Sequence, residues 1–572
     1  VYSHYDSKRD KGLKSFLERN SFIDIASTGE GEMVFTSLLE KYPKREWDRV
    51  PGIHRLDEKG NIVSTFPQPR IEDLNTIPSP YLTDYFNQLM EKNAEEQWIG
   101  LFETNRGCPF GCTFCDWGIN AKNRMVLYDL EERIFKEIDW ISKSKIEFVY
   151  CCDANFGIYA AEKFKFRDLK IAQRFAENKG KYKYPHRFSV QNTKNSKEAT
   201  YEIQTILNDS GLDKGVLLAF QSLHEPTLKA IDRNNIRLET YHDLQKRFTK
   251  EGVTTFSDII LGLPLETYET FTKGVSTLIE NGQHNRIQFN NLSILPNAPI
   301  VGDIKKYGLE IAESDMINIH GSLGEWVDNI YERQQLVVGT ETMPREDWAK
   351  ARNFGYMISF LHFDKVLQVP NILLNTQYGV SYKEITDAFI ENPRKTPIIE
   401  EISNLFSDQA RSLQKGGAEY IHSKQWLNIW WPADEYALIK LATEGKLNTF
   451  YEEAQSNLEY LLWKKGYKED NSALSDAIYF NKELLKMPFN DQNKTINLNY
   501  NIWDIYKAGL VAEKASIKEG KFSYKINRTG DKWNSWEDWC REVIWYGNKK
   551  GDYIYSCNQI SGEKKDVRTI TA

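Results

Sequence analysis

Three cysteines crowd the segment ETNRGCPFGCTFCDWG: Cys108, Cys112 and Cys115, in C-x3-C-x2-C spacing. Soft thiolates suit iron–sulfur clusters, and a four-iron cluster ordinarily takes four protein ligands. Three cysteines therefore leave one iron open. An open iron can bind the amino and carboxylate groups of S-adenosylmethionine and pass one electron to its sulfonium. Homolysis then yields methionine and a 5′-deoxyadenosyl radical, chemistry that a protein delegates to a cofactor. Gly107, Pro109 and Gly111 allow a tight loop around a bulky group. Phe114 stands where it can pack on an adenine. The alternatives are a zinc site or three unrelated buried thiols. Zinc favours four ligands in paired C-x2-C or Cys/His sets, and no fourth ligand lies near in sequence.

Elements on either side must position that loop. The triad follows an apolar run at 98–103, the first of six short β-rich runs; the others are 146–152, 187–191, 215–221, 254–261 and 286–295. Helical patterns lie between and after them at 129–142, 163–178, 196–210, 225–231, 239–251 and 268–281. Six β-then-α units at this spacing predict parallel strands with right-handed crossovers. Runs so apolar and β-branched are expected to be buried on both faces. The expected fold class is α/β, a partial (β/α)6 TIM-like barrel with its chemistry at the C-terminal strand ends. Residues 51–82, rich in Pro and Gly, read as an irregular connector. Beyond about 300, helical segments at 345–366, 381–391, 396–413, 434–443 and 450–464 predict a mainly helical C-terminal domain. Near the chain end, KWNSWEDWCREVIWYG predicts an amphipathic helix packed on the barrel.

Composition narrows the function class. The 572 residues, 41% hydrophobic and 27% charged, are those of a globular protein of two or three domains. A net charge of −7 and a pI near 5.9 argue against nucleic acid as a partner. No run of eighteen apolar residues marks a membrane span, and the first residues, VYSHYDSKRDKGLK, resemble neither a signal nor a transit peptide. Seven cysteines, three clustered, an adjacent pair (Cys151, Cys152) and two isolated (Cys540, Cys557), do not form a secreted disulfide pattern. Reduced thiols in the cytoplasm fit better. Trp426, Trp430 and Trp431 read as core or interface anchors, or as the wall of a substrate pocket.

Together these motifs resemble the radical S-adenosylmethionine superfamily, and within it the class B-like branch whose members carry an N-terminal cobalamin-binding domain. Beyond the triad the resemblance rests on GEGE at 29–32, IPSPYL at 77–82, DANFG at 153–157, QSL at 221–223, DIILGLPLET at 258–267 and LPNAP at 295–299. It implies that Asp153 and Asn155 bind the amino end of the methionine moiety, that Gln221 meets the ribose, and that Arg233 pairs with the methionine carboxylate. It also implies that Gly262 lets a strand approach the adenosine, and that Gln191 or Asn192 lines the same cavity. The plain structural readings are helix caps for Asp153 and Asn155, a surface position for Arg233, a turn at Gly262 and inert buried thiols at Cys151 and Cys152. The resemblance further divides the chain. Residues 1–50 are the C-terminal part of a Rossmann-like cobalamin-binding domain, 51–97 a connector, 98–300 the core barrel and 301–572 a substrate or lid domain. The pattern D-x-H-x-x-G, a lower-ligand signature in some cobalamin proteins, is absent, and His4 in SHYDS does not match it. Without an initiator Met and the early strands of that domain, the chain is expected to be truncated.

The implied cofactors are a [4Fe–4S] cluster, S-adenosylmethionine and cobalamin. The implied partners are a small-molecule or peptide substrate and an external one-electron reductant such as flavodoxin or ferredoxin. The leading functional reading is a cobalamin-dependent methyltransferase acting on an unactivated carbon or phosphorus centre. The alternatives are a rearrangement, cyclisation, epimerisation or methylthiolation started by the same radical, and a non-catalytic iron–sulfur redox sensor or scaffold.

Overall fold

A computed structural model describes residues 7–117, 125–193, 197–213, 215–321, 332–467, 472–548 and 551–564. The chain separates into two compact units. One comprises Val1–Lys214, Ile231–Arg233 and Ile294–Asp303; the other comprises Gly215–Ala230, Asn234–Ser293 and Ile304–Ala572.

In the first unit the strands Ile99–Phe102, Phe148–Cys151 and Arg187–Ser189 form a parallel sheet in that order. Alternation along each strand sends Phe102, Val149, Cys151 and Phe188 to one face. There they pack with Ile138 and Ile141 of helix Phe135–Lys143 and with Ile171 and Phe175 of helix Arg167–Tyr182. Phe175 stacks on Phe188 with ring centroids 4.1 Å apart. The expectation of burial on both faces is not met in this sheet: Ile99 and Leu101, on the opposite face, are 66% and 63% exposed. An apolar side chain in a strand marks a β-former, and does not by itself mark a covered face.

The connector expected at 51–97 begins instead with a hairpin, so the boundary at residue 50 cuts through a sheet. Strand Ala26–Ser27 pairs antiparallel with Ile53–Leu56, which pairs antiparallel with Ile62–Ser64. Asp57 makes the turn by accepting hydrogen bonds from the backbone N–H of Lys59 (2.9 Å) and of Asn61 (2.7 Å), an Asx turn that its D-E-K-G-N sequence encodes. Leu13 and Leu17, one helical turn apart on Ser7–Arg19, close a small core over Ala26 with Leu56 and Ile62. Within the described residues this region is an antiparallel sheet, and no parallel Rossmann-like strand pair occurs in it. His4 lies outside the described residues.

In the second unit Val216–Leu217, Thr255–Leu261 and Ile287–Asn291 form another parallel sheet, with Thr255–Leu261 at its centre. Helix Tyr268–Glu280 starts at a capping box in which Thr267 and Thr270 satisfy each other's backbone N–H groups. An antiparallel pair, Glu310–Asp315 with Arg333–Gly339, leads into a mainly helical region. Helices Arg345–Ile358, Tyr382–Glu391, Pro397–Gln414, Ala433–Thr443 and Leu447–Lys464 lie close to the expected bounds. A three-stranded antiparallel sheet, Lys494–Tyr500, Glu519–Asn527 and Ser556–Lys564, accompanies them. Trp431 and Trp539 are fully buried anchors of this core, their indole N–H groups donating to the carbonyls of Trp426 (3.0 Å) and Lys486 (2.8 Å). The Trp-rich helix thus packs into the C-terminal core, where Cys540, Val543 and Ile544 join Trp539.

Just ahead of strand Ile287–Asn291, buried Arg286 bridges Asp364 and Asp434, each at 2.9 Å, and the neighbouring Glu435 pairs with His320 at 2.6 Å. A guanidinium fork between two buried carboxylates is far better kept whole than halved, because any unpaired charge stays desolvated. Arg286→Met is therefore expected to lower the unfolding free energy of the chain by about 3–5 kcal/mol, read as a drop in the urea midpoint. An unchanged midpoint would rule out a structural role for this bridge.

Candidate functional site

The first strand, Ile99–Phe102, ends where the chain must leave the sheet and form the cysteine loop. A two-residue antiparallel pairing, Asn105–Arg106 with Val126–Leu127, holds the base of the loop closed. Gly107 then takes φ +119°, a conformation that strains any side-chain-bearing residue. A Cβ on Gly111 would collide with the Asp232 carboxylate. Thr113 is fixed from both sides: its N–H donates to the Ile231 carbonyl and its carbonyl accepts from the Ile300 N–H, each at 2.9 Å. Cys108 and Cys112 are 5% and 6% exposed, Cys115 is half-buried, and none is in a disulfide. Among the described residues no three His, Cys, Asp or Glu side chains converge on a point that would hold a single metal ion. Three unbridged thiols on one short loop, two of them buried, are a donor set that fits a [4Fe–4S] cluster.

Asp153 and Asn155 follow the second strand, and both are buried. The Asp153 carboxylate accepts from the Thr104 N–H (2.8 Å), the Thr104 hydroxyl (2.5 Å), the Asn105 N–H (3.2 Å) and the Asn105 side-chain amide (2.9 Å). Its acceptor capacity is thus filled by the segment entering the cysteine loop, and it does not cap a helix. Burial pushes this carboxyl up to about 6, against four donors that favour its ionised form. Asn155 donates from Nδ2 to Cys108 Sγ at 3.2 Å. Behind them, Arg167 donates to the Thr104 hydroxyl (3.0 Å) and carbonyl (2.8 Å), while Asp168 accepts from the N–H groups of Gly157 and Tyr159, both at 2.9 Å. Neither Arg167 nor Asp168 stands out in the sequence; an Arg-Asp pair at a helix start is their only signal.

The GEGE motif serves the same loop. Arg106, two residues before Cys108, contacts Glu30 (3.3 Å), Glu32 (3.0 Å) and Glu103 (2.9 Å). Arg70 donates to the Arg106 carbonyl at 3.0 Å, and Glu30 also accepts from the Ile71 N–H at 2.6 Å. Burial alone would lower the Arg106 pKa, but hydrogen bonds to Glu103 and Glu32 carry it above the ordinary arginine value. The NRGC sequence offered the signal, an arginine beside the triad.

The remaining residues divide between the two units. In the first, Gln191 lies beside the DANFG turn: its carbonyl accepts from the Phe156 N–H at 2.7 Å. The Asn192 side chain is held by Gln204 at 2.7 Å. Phe114 is half-buried, and Arg233, 4% exposed, is no surface residue; it closes the Ile231–Arg233 segment that grips Thr113. In the second unit Gln221 has φ +68° and exchanges backbone hydrogen bonds with Asp258 and Ile260, both at 2.9 Å. Gly262, at φ +92°, abuts Val337 and Trp348, so close packing and backbone conformation already require glycine there. Cys151 lies in the helix-side core, where burial pushes its thiol well above the ordinary value; Cys152 is half-buried and also raised by burial. Cys540 and Cys557 sit in the C-terminal core, and burial pushes both up to about 12. His54, a buried residue of strand Ile53–Leu56 in the N-terminal sheet, has both ring nitrogens engaged, with Ser64 (2.8 Å) and Thr28 (3.1 Å).

Residues 102–276 match the Radical SAM superfamily. The chain is 34% identical over 378 residues to the cobalamin-dependent radical SAM methyltransferase TokK of Streptomyces tokunonensis, covering 64% of this chain and 53% of that protein. It is 33% identical over 374 residues to a 2-(S-pantetheinyl)-carbapenam-3-carboxylate methyltransferase of Streptantibioticus cattleyicolor, with the same coverage of 64% and 53%. The chain thus spans about half the length of these curated relatives. The solved structure of the radical S-adenosylmethionine methyltransferase TsrM from Kitasatospora setae, with cobalamin and a [4Fe–4S] cluster bound, aligns over 60% of this chain and 69% of that one, at 14% identity and a TM-score of 0.41. No helix among the described residues is long and apolar enough to cross a membrane.

Two outcomes are expected. Arg106→Lys keeps a charge but loses the fork that meets three carboxylates, so the first unit should lose about 1–2 kcal/mol and bind less iron per chain after anaerobic reconstitution. Wild-type iron content in R106K would detach this cluster of charges from the loop. In the DIILGLPLET run, burial pushes the Glu266 carboxyl up to about 8; Ser222 donates to one oxygen at 2.6 Å and the other is buried without a partner. The folded chain therefore keeps this carboxyl neutral while the unfolded chain ionises it above 4.5. Its contribution to stability is full below pH 4.5 and is lost at about 1.4 kcal/mol per pH unit as pH rises towards 8. Glu266→Gln should flatten that part of the stability profile in pH-resolved denaturation. Parallel profiles for the two proteins would show that the carboxyl is already ionised in the fold.

Proposed function

We propose, for a chain whose residues 102–276 belong to the radical SAM superfamily, that it cleaves S-adenosylmethionine reductively at a [4Fe–4S] cluster held by Cys108, Cys112 and Cys115, and that it is a cobalamin-dependent methyltransferase acting on an unactivated centre. The observation that carries the reading is the loop itself: three unbridged cysteines on a backbone pinned at Arg106, Thr113 and the Asp153 clamp. When bound, the cluster supplies the single electron that splits the sulfonium. In this reading its two three-stranded parallel sheets belong to a partial (β/α)6 barrel, and the first of them carries the loop at its C-terminal edge.

The protein's own work in this scheme is positional. Asp153 and Arg167 hold Thr104 rigid, so the loop leaves the strand in one direction. Arg233, buried beside the loop, meets the methionine carboxylate. Holding the reacting atoms within reach and excluding water is worth more here than proton transfer, for which no side chain is assigned. The methyl-transfer half of the proposal is supported by likeness to TokK over 64% of the chain, and no step of it is assigned to residues 12–64. The substrate is a small molecule or peptide, and the electron comes from an external one-electron reductant.

The test is anaerobic. Reconstituted protein with dithionite and S-adenosylmethionine should release 5′-deoxyadenosine, and Cys108→Ala, Cys112→Ala and Cys115→Ala should each abolish that release, a greater loss than the roughly 10–100-fold that removing an outer-shell partner of a metal ligand costs. With its substrate and cobalamin present, the enzyme should also form S-adenosylhomocysteine. Deoxyadenosine without S-adenosylhomocysteine would replace methyl transfer by another radical rearrangement, and neither product would leave an iron–sulfur protein without this activity.

A further inference from the structure

Asn155 is a buried amide whose placement the fold does not otherwise explain. It has no exposed surface, and its one side-chain hydrogen bond among the described residues runs from Nδ2 to Cys108 Sγ at 3.2 Å. Its Oδ1 is buried and meets no donor. The chain on either side holds it still. Two residues earlier Asp153 is clamped by Thr104 and Asn105, and one residue later Phe156 is laced to the neighbouring strand end through Gln191 (2.7 Å) and Thr193 (2.8 Å). The amide therefore reaches the sulfur from a rigid base. Turned over, it would set its oxygen against a thiolate, acceptor against acceptor, so the N–H-to-sulfur orientation is the one that a charged ligand selects.

We infer that Asn155 is a positioning residue that sets the reduction potential of the cluster through a hydrogen bond to the sulfur of Cys108. This rests on the function proposed above and deepens it. Reduction adds negative charge that is shared by the ligand sulfurs, and an N–H aimed at one of them stabilises the reduced form more than the oxidised form. The effect is large where water is excluded, because no solvent dipole competes. A site that must hand an electron to a sulfonium needs its potential set within limits: too high and the electron is not given up, too low and the external reductant cannot load it. Asn155 supplies one fixed contribution to that setting and touches no reacting atom in doing so.

The experiment compares the reconstituted wild-type chain with Asn155→Leu, which has no donor at similar volume, and Asn155→Asp, which puts an oxygen in place of the donor. Iron content and visible absorbance measure loading, and redox titration followed by electron paramagnetic resonance measures the potential. Both variants are expected to bind iron as the wild type does and to titrate at a more negative potential, Asn155→Asp further than Asn155→Leu. Equal potentials in all three proteins at equal iron content would overturn the inference and leave the proposed function standing. A wild-type chain that binds no iron would overturn both. Should the variants not load, wild-type protein grown with 15N-asparagine gives the answer alone: pulsed resonance of the reduced cluster should detect a weak 15N coupling carried through Cys108, and its absence would sink the assignment.

Discussion

One buried carboxylate organises the part of this protein where chemistry can occur. Asp153 sits just past the end of its strand and accepts four hydrogen bonds from two consecutive residues just past the end of the neighbouring strand. A carboxylate taken out of water is costly unless its lone pairs are filled, and here the filling groups are the backbone and side chains of Thr104 and Asn105. Desolvation and hydrogen bonding thus work through one bond set: the fold can bury Asp153 only with residues 104–105 in place. Those residues lead directly into the cysteine loop, so the loop inherits their geometry.

Around that clamp the chain adds further constraints, each of a different physical kind. Arg106 is surrounded by three carboxylates, two of them from a segment more than seventy residues earlier, and meets Glu103 through a two-pronged fork. Arg167 reaches the same Thr104 from a helix packed on the sheet. Gly111 makes room for Asp232, and Thr113 is stitched by its backbone to two segments that return from far along the chain. Loops that carry function on rigid supports are usually held in this way, by many weak and directional bonds at their base. The second unit is built on another principle. Its stability lies in a large aromatic and aliphatic core, crossed by buried charge bridges such as Arg286 between Asp364 and Asp434.

Much of this was legible in the sequence wherever the information is local. The spacing of Cys108, Cys112 and Cys115 identified the loop, and the periodicity of short apolar runs and amphipathic helices located six strand–helix units within a few residues of their observed bounds. Local reading failed where two codes overlapped. The Pro- and Gly-rich stretch after residue 50 hid a hairpin, because its turn is made by one aspartate side chain. The apolar strand Ile99–Phe102 was expected to be covered on both faces, because β-forming residues and buried residues are drawn from the same set.

The sequence by itself determined the spacing of the three cysteines and the order of the elements, since both follow from residue type and interval along the chain. Only the tertiary structure decided what the other motif residues do. GEGE became a pair of carboxylates on Arg106, Asp153 a support for the loop, and Asn155 a donor to the Cys108 sulfur, across separations of 76, 49 and 47 residues. A hydrogen bond depends on distance and direction in space, and neither is written in the interval between two residues until the intervening chain has folded.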